Sequence, residues 1–294
     1  MRLQLSKSRL FYRHPGNKSH KIRKCFPARN PLRSVRGAKT CAPVAKFNST
    51  KRCNALSWHF RETMSANFRL FGPIHLLILS AVVLLAVALA ALQRRLSPGC
   101  KWLRMGLALL LLLDWAAWYD YLAVHGQLTF PHQLPLELCD VTLLLIVISL
   151  FTLSPAIFDL AYYCALAGSS MALLTPDLWE PFPSVGTVQF FAAHGLAVTA
   201  TLYLVWSGLA RPRAGSVGRA MLAVNILAAF DGLFNAIFKT NYMYLCAKPA
   251  NASLLDLLGP WPWYILTSEG VALALFLLLY LPFRSSARER AATG

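Results

Sequence analysis

Four side chains set the chemical question. Glu137, Cys139 and Asp140 lie within LPLELCDVTLLL, residues 134–145, at the threshold of an apolar run, and His194 lies within FFAAHGL. A cysteine attacks an acyl carbonyl as its thiolate, and an imidazole within reach can take the thiol proton. At the start of a helix the thiol sits in the positive end of the dipole, which favours the thiolate. The two acids oppose that charge unless one of them orients an imidazole. Each residue also has a purely structural reading. Cys139 is then a small buried hydrophobe, His194 an interhelical hydrogen-bonding group, and Glu137 and Asp140 complements of the helix dipole.

Further polar residues surround this set. Asp231, Asn235 and Lys239 are spaced four apart and share one helix face. Asp114, Trp118, Tyr121 and His125 follow a 4-3-4 spacing on another helix. His75 opens the first apolar run, and Asn241 follows the sixth. His75, Glu137, Asp140, Asp231, Asn235 and Asn241 are the candidates for binding or supporting a substrate. Trp261 and Trp263 in LGPWPWY fit an aromatic belt at a membrane interface.

The elements that position these residues follow from composition. Of 294 residues, 56% are hydrophobic and 14% charged, with a mean hydropathy of +0.48. A soluble domain is closer to a quarter charged. Apolar stretches long enough to cross a bilayer fall at approximately 74–92, 104–124, 136–153, 156–175, 187–209, 217–239 and 262–282. The expected fold is an all-α membrane protein, a seven-transmembrane-helix bundle over residues 64–284 with a short cytoplasmic tail at 285–294.

Residues 1–63 hold sixteen of the twenty-nine Lys and Arg but only one acid, Glu62. They show neither helical nor strand periodicity. This head reads as a basic, disordered or non-native extension, with Met64 as the expected start. A basic arm on nucleic acid or anionic lipid and a transit peptide are the competing readings. Seven cysteines are scattered without a CxxC pair or zinc spacing, so neither a disulfide framework nor a structural metal is indicated. No cofactor is expected either.

Lys and Arg fix the expected orientation. Arg94, Arg95, Lys101, Arg104, Arg213 and Arg219 fall on one side of a seven-span chain, which the positive-inside rule makes cytoplasmic. The N-terminus is then outside and the C-terminus inside. With that topology nearly all intramembrane polar residues belong to the outer half, which predicts an outward-opening cavity, since such groups are costly against lipid.

The motifs FGPIHL, LPLELCD, LAGSSMALLTPDL, FFAAHG, ARPRAG, NYMYLCAKP and SLLDLLGPWPWY occur in that order between about residues 71 and 283. Together they resemble the YwaF-like bacterial seven-span membrane proteins. More distantly, the chain is similar to an animal transmembrane family that acylates ether phospholipids through a Cys and a His, and to androgen-induced membrane hydrolases that use Thr and His. The resemblance implies Cys139 as nucleophile and His194 as base.

The function expected is a phospholipid acyltransferase or acyl hydrolase of the plasma membrane. Membrane phospholipid is the expected partner, with no role for nucleic acid and no oligomeric state specified. The alternative is a small-molecule transporter or seven-span receptor with an outward-facing polar cavity.

Overall fold

The computed structural model describes residues 68–96, 100–178, 180, 182–249 and 253–284. The basic head and the tail from 285 lie outside the described residues. Seven long helices account for most of the rest. They are α1 Pro73–Arg95, α2 Trp102–Val124, α3 Leu138–Thr152, α4 Pro155–Leu174, α5 Val185–Trp206, α6 Ser216–Phe238 and α7 Trp263–Tyr280. Two short 3₁₀ turns, Tyr242–Tyr244 and Leu254–Leu258, punctuate the loop between α6 and α7. Among the described residues there is no strand.

Six of the helices are long and apolar enough to cross a bilayer. The exception is α3, whose 15 residues extend only about 22 Å at 1.5 Å per residue, against a hydrocarbon core of about 30 Å. The expected span of 136–153 is shortened because Glu137 already has extended backbone and Leu153 turns left-handed, φ 53°. Ser154 and Pro155 then start α4, with Pro155 in the first turn, where its missing N–H costs nothing.

Local chemistry explains the other boundaries. Pro73 opens α1, and Arg94 and Arg95 complement its C-terminal dipole. Ser184 and Thr187 form a reciprocal capping box at the start of α5. Lys239, φ 59°, ends α6 in the left-handed region. Midway along α4 the segment Cys164–Ser169 widens into a π-helical turn, a local irregularity often found near functional sites.

Helix α5 is the axis of the bundle, packing on α1, α2, α3 and α4. Its small residues allow that approach: a side chain on Gly195 would stand 3.1 Å from Val82 of α1. The core joins Leu111, Ile146, Leu150, Phe158, Tyr163 and Leu204 from α2, α3, α4 and α5. The outward faces are apolar as well, with Leu77 and Leu84 of α1 69% and 67% exposed. Exposed apolar surface on that scale belongs against lipid rather than water.

Buried polar groups tie the helices together. The Tyr203 hydroxyl of α5 donates to Gln93 Oε1 of α1 at 2.8 Å, and Thr199 donates to the Val82 carbonyl at 3.2 Å. Thr142, Ser149 and Thr201 donate to carbonyls four residues back, so no hydroxyl among them faces the core unpaired. Tyr203→Phe leaves the buried Gln93 oxygen without its donor and should destabilise the protein by about 1–3 kcal/mol. Thermal unfolding in detergent checks this, and an unchanged Tm would show that the α1–α5 contact does not depend on that bond.

Candidate functional site

The start of α3 is the polar centre of the structure. Glu137 occupies the N-cap position, yet its side chain does not cap the helix. Its Oε2 instead accepts the Met243 N–H at 3.0 Å, holding the loop after α6 against α3. Asp140, three residues on, lies in the first turn of α3, where its charge complements the helix dipole. Asp140 also accepts from Trp115 Nε1 at 3.3 Å, and the Tyr119 hydroxyl lies beside it.

Burial pushes the Glu137 carboxyl up to about 7, the Met243 N–H pulling the other way and the charges of Asp140 and Asp231 adding to the rise. Cys139 lies between the two acids and is partly buried. Among the described residues, the charged groups acting on its thiol are the Asp140 and Glu137 carboxylates.

The loop Asn241–Cys246 closes over this region. Tyr242 donates its hydroxyl to the Pro131 carbonyl at 2.9 Å and accepts the Leu134 N–H at 2.9 Å, pinning the segment that leads into α3. The Tyr244 hydroxyl reaches Asp177 at 3.2 Å, and Tyr264 of α7 donates to the Tyr244 carbonyl. Met243 and Tyr244 both hold positive φ, 54° and 53°, a conformation rarely adopted without surrounding bonds to enforce it.

The candidates on α6 fall into distinct roles. Asn235, 1% exposed, donates to the Tyr242 carbonyl and accepts from Thr240 Oγ1 and the Tyr242 N–H, fastening the helix end to the loop. Asn241 accepts the N–H groups of Cys246 and Ala247 and donates to the Ala247 carbonyl. Both amides are thus engaged in loop structure. Asp231, one turn before Asn235, is fully buried and neither carboxylate oxygen has a partner among the described residues. Lys239 leaves the face that the four-residue spacing suggests. The left-handed cap turns the chain there, and its exposed Nζ donates to the Ala236 carbonyl.

His75 and His194 differ in what their nitrogens do. His75 Nδ1 accepts the Phe71 N–H at 2.9 Å, and Nε2 meets the Leu173 carbonyl at 2.7 Å. A carbonyl can only accept, so the ring is the Nε2–H tautomer with both nitrogens occupied. The residue joins α1 to the end of α4. His194 Nδ1 lies 2.8 Å from the Phe190 carbonyl of its own helix. By the same logic Nδ1 carries the proton, leaving a lone pair on Nε2.

No hydrogen bond among the described residues links Cys139 to His194. Both approach α4, however. Phe191 and Val198, which flank His194 along α5, pack on Leu173. Leu138, adjacent to Cys139, comes within 3.9 Å of where a side chain on Gly168 would stand in the π turn. Gly168 and Leu173 are on the order of 7 Å apart along the helix axis. The helices that carry them thus both pack on α4, while the two groups themselves are not paired among the described residues.

A separate cavity of about 570 Å³ lies between α2 and α5, lined by Asp114, Trp118, Ser184, Val188, Gln189 and Ala192. Gln189 donates weakly to Asp114 at 3.4 Å. None of Glu137, Cys139, Asp140, Asp231 or Asn235 lines it. Spacing on α2 singled out the face of Asp114 and Trp118, which is this cavity. It missed Trp115 and Tyr119, which stand on the neighbouring face and meet Asp140. Aromatic residues in NYMYL were the available signal for Tyr242 and Tyr244, but pattern alone gives a loop tyrosine no partner.

Fold and site together define an all-helical, multi-pass membrane protein with a polar cluster built from helix ends and one loop. The chain belongs to the TMEM164 family, whose pattern matches residues 70–280. It is similar to an uncharacterized protein from Treponema pallidum (strain Nichols), 28% identical over 233 residues that cover 75% of this chain and 92% of that one. No solved structure matches it.

Two expectations follow. Replacing His75 by Phe removes two backbone hydrogen bonds from a fully buried position and should lower the Tm even with no substrate present; an unaltered Tm would free His75 for another role. Glu137, held up to about 7 from 4.5, favours folding in its neutral form. That contribution is complete below pH of about 4.5 and is lost as pH rises through about 7. The Tm of the wild type should therefore fall relative to Glu137→Gln across this window and run parallel to it above. Parallel curves throughout would contradict the burial argument.

Proposed function

We infer that this protein is a lipid-modifying enzyme in which Cys139 attacks a phospholipid acyl ester and His194 serves as general base. The observation that carries the reading is the state of His194. Its Nδ1 proton is committed to the Phe190 carbonyl, so Nε2 is the nitrogen able to take a proton. The helices that carry the two residues both pack on the irregular turn of α4. In this reading a bound ester bridges them, with the carbonyl carbon at the thiol and the leaving oxygen toward the imidazole.

The chemistry balances as follows. The Cys139 thiol loses its proton to His194 Nε2 as sulfur bonds to the acyl carbon. The ester C–O bond breaks, and the lysolipid oxygen leaves with that proton. The resulting thioester is attacked by the hydroxyl of an acceptor lysolipid, or by water, whose proton passes through His194 to regenerate the thiol. The similarity to ether-phospholipid acyltransferases supports the same pair. The choice between transfer and hydrolysis depends on which hydroxyl reaches the thioester.

The membrane setting completes this reading. In this reading all seven helices cross the plasma membrane, α3 together with its flanking residues, with the N-terminus outside and the C-terminus in the cytoplasm. Arg94, Arg104, Arg213 and Arg219 on one end support that direction. Within the family, the ordered motifs from FGPIHL to GPWPWY support placement among YwaF-like bacterial members. A second reading draws on Asp231. An unpartnered carboxylate buried within a membrane helix is also what a transporter or receptor site would use.

Intact-protein mass spectrometry after incubation with defined phospholipids tests the proposal. The wild type should acquire a hydroxylamine-labile acyl adduct. Cys139→Ala should acquire none and should lose at least about a hundredfold of lipid turnover, and His194→Ala should slow adduct formation by a comparable factor. Full turnover by a folded Cys139→Ala protein would remove the mechanism, and solute uptake into proteoliposomes without lipid change would favour transport.

A further inference from the structure

At the opposite end of the bundle from Cys139, Asp159 in the first turns of α4 is fully buried. It holds two arginines of the motif ARPRAGSVGR. Its Oδ1 accepts the Arg213 backbone N–H at 2.9 Å. Its Oδ2 accepts Arg213 Nε at 2.9 Å and Nη2 at 2.7 Å, and Arg219 Nη2 at 2.8 Å. The neighbouring Tyr163 hydroxyl and Ser216 Oγ, 2.7 Å apart, tie α4 to the start of α6.

One carboxylate thus neutralises one of two guanidinium charges. Each arginine directs its Nε–Nη2 edge inward at Asp159, yet the two side chains remain 46% and 45% exposed. Their outer edges have no partner charge of their own among the described residues. Gly215, φ 72°, makes room for this arrangement, since a side chain there would stand 3.1 Å from Arg219 Nη1. The rest of this end adds to the positive field. Arg94 donates to the Trp206 carbonyl and Arg104 to the Leu150 carbonyl, while Arg95, Lys101 and Arg284 stand nearby in the chain order of the helix ends. Among the described residues Asp159 is the carboxylate at this end.

We propose that Arg213 and Arg219, preorganised by Asp159, form a binding site for the headgroup phosphate of an acidic phospholipid. Guanidinium forks match phosphate oxygens in geometry and charge. The surplus positive charge selects a headgroup without an ammonium group of its own, because a zwitterionic head would bring a cation to a cluster that already has one in excess. Exposed apolar side chains on the adjoining helix, such as Leu222 at 63% exposure, offer the acyl chains a surface that a free phosphate would not use. The site depends on the membrane-spanning reading and not on Cys139, so its failure and that of the enzymatic proposal are separable.

The test uses the full chain in phosphatidylcholine nanodiscs with and without phosphatidylglycerol. It reads Tm together with lipid retained in native mass spectrometry. Phosphatidylglycerol should raise the Tm and remain bound. The triple variant Asp159→Asn, Arg213→Gln, Arg219→Gln removes the charges together, so no buried ion is stranded, and should weaken retention by at least about tenfold. Arg219→Gln alone, which leaves Asp159 paired with Arg213, should show a partial loss and serves if the triple variant does not fold. Arg95→Gln, outside the cluster, should retain the lipid. Undiminished retention in the cluster variants, or an equal loss with Arg95→Gln, would overturn the site. A Tm rise given equally by inorganic phosphate in phosphatidylcholine discs would overturn the assignment to a lipid.

Discussion

A polar group inside this bundle cannot turn to water, because the faces that surround it are apolar on both sides. Leaving a buried donor or acceptor unpaired costs about 1–3 kcal/mol, and more for a charge. That constraint shapes the molecule at every level. Hydroxyls of Thr142, Ser149 and Thr201 return to their own helix backbones. Tyr203 and Gln93 meet across α1 and α5. The helix ends, where backbone groups are necessarily unpaired, gather the remaining polar side chains.

The two ends of the bundle meet the constraint differently. At one, a single buried carboxylate collects two arginines that also face outward. At the other, neutral amides and tyrosines do most of the work: Asn235 closes α6 onto Tyr242, and Tyr242 reaches across to the segment before α3. Among the described residues, Glu137 and Asp140 of that end are held by N–H donors. Asp231 stands apart, since it is buried with neither oxygen bonded among the described residues. A buried carboxylate of that kind marks a place where bound material or a bound proton would matter.

The thiol and imidazole fit this frame without being a preformed pair. His194 is fixed by its own helix, and Cys139 by the short start of α3. The irregular turn of α4 lies against both helices. The site's geometry is thus set by three elements with independent supports. Substrate, rather than a side-chain hydrogen bond, would have to bridge the two groups.

Much of this was legible in the sequence. Apolar runs placed all seven long helices to within a few residues, because hydropathy and length together leave an apolar segment few other conformations. In the structure Pro155, Pro73 and the Ser184–Thr187 pair set helix starts through strictly local chemistry. The separation of a basic end from an acid-rich end also followed from residue positions once helices alternate direction. What spacing could not supply was pairing. Glu137 and Asp140 are three residues apart and look equivalent, yet one meets Trp115 of α2 and the other holds Met243, a partner 106 residues away. His75 and His194 look alike in an apolar context, yet both nitrogens of the first are occupied, while Nε2 of the second has no hydrogen bond among the described residues. Periodicity records which side chains share a face; the arrangement of the helices decides what that face meets, because the partners lie on segments far apart in the chain.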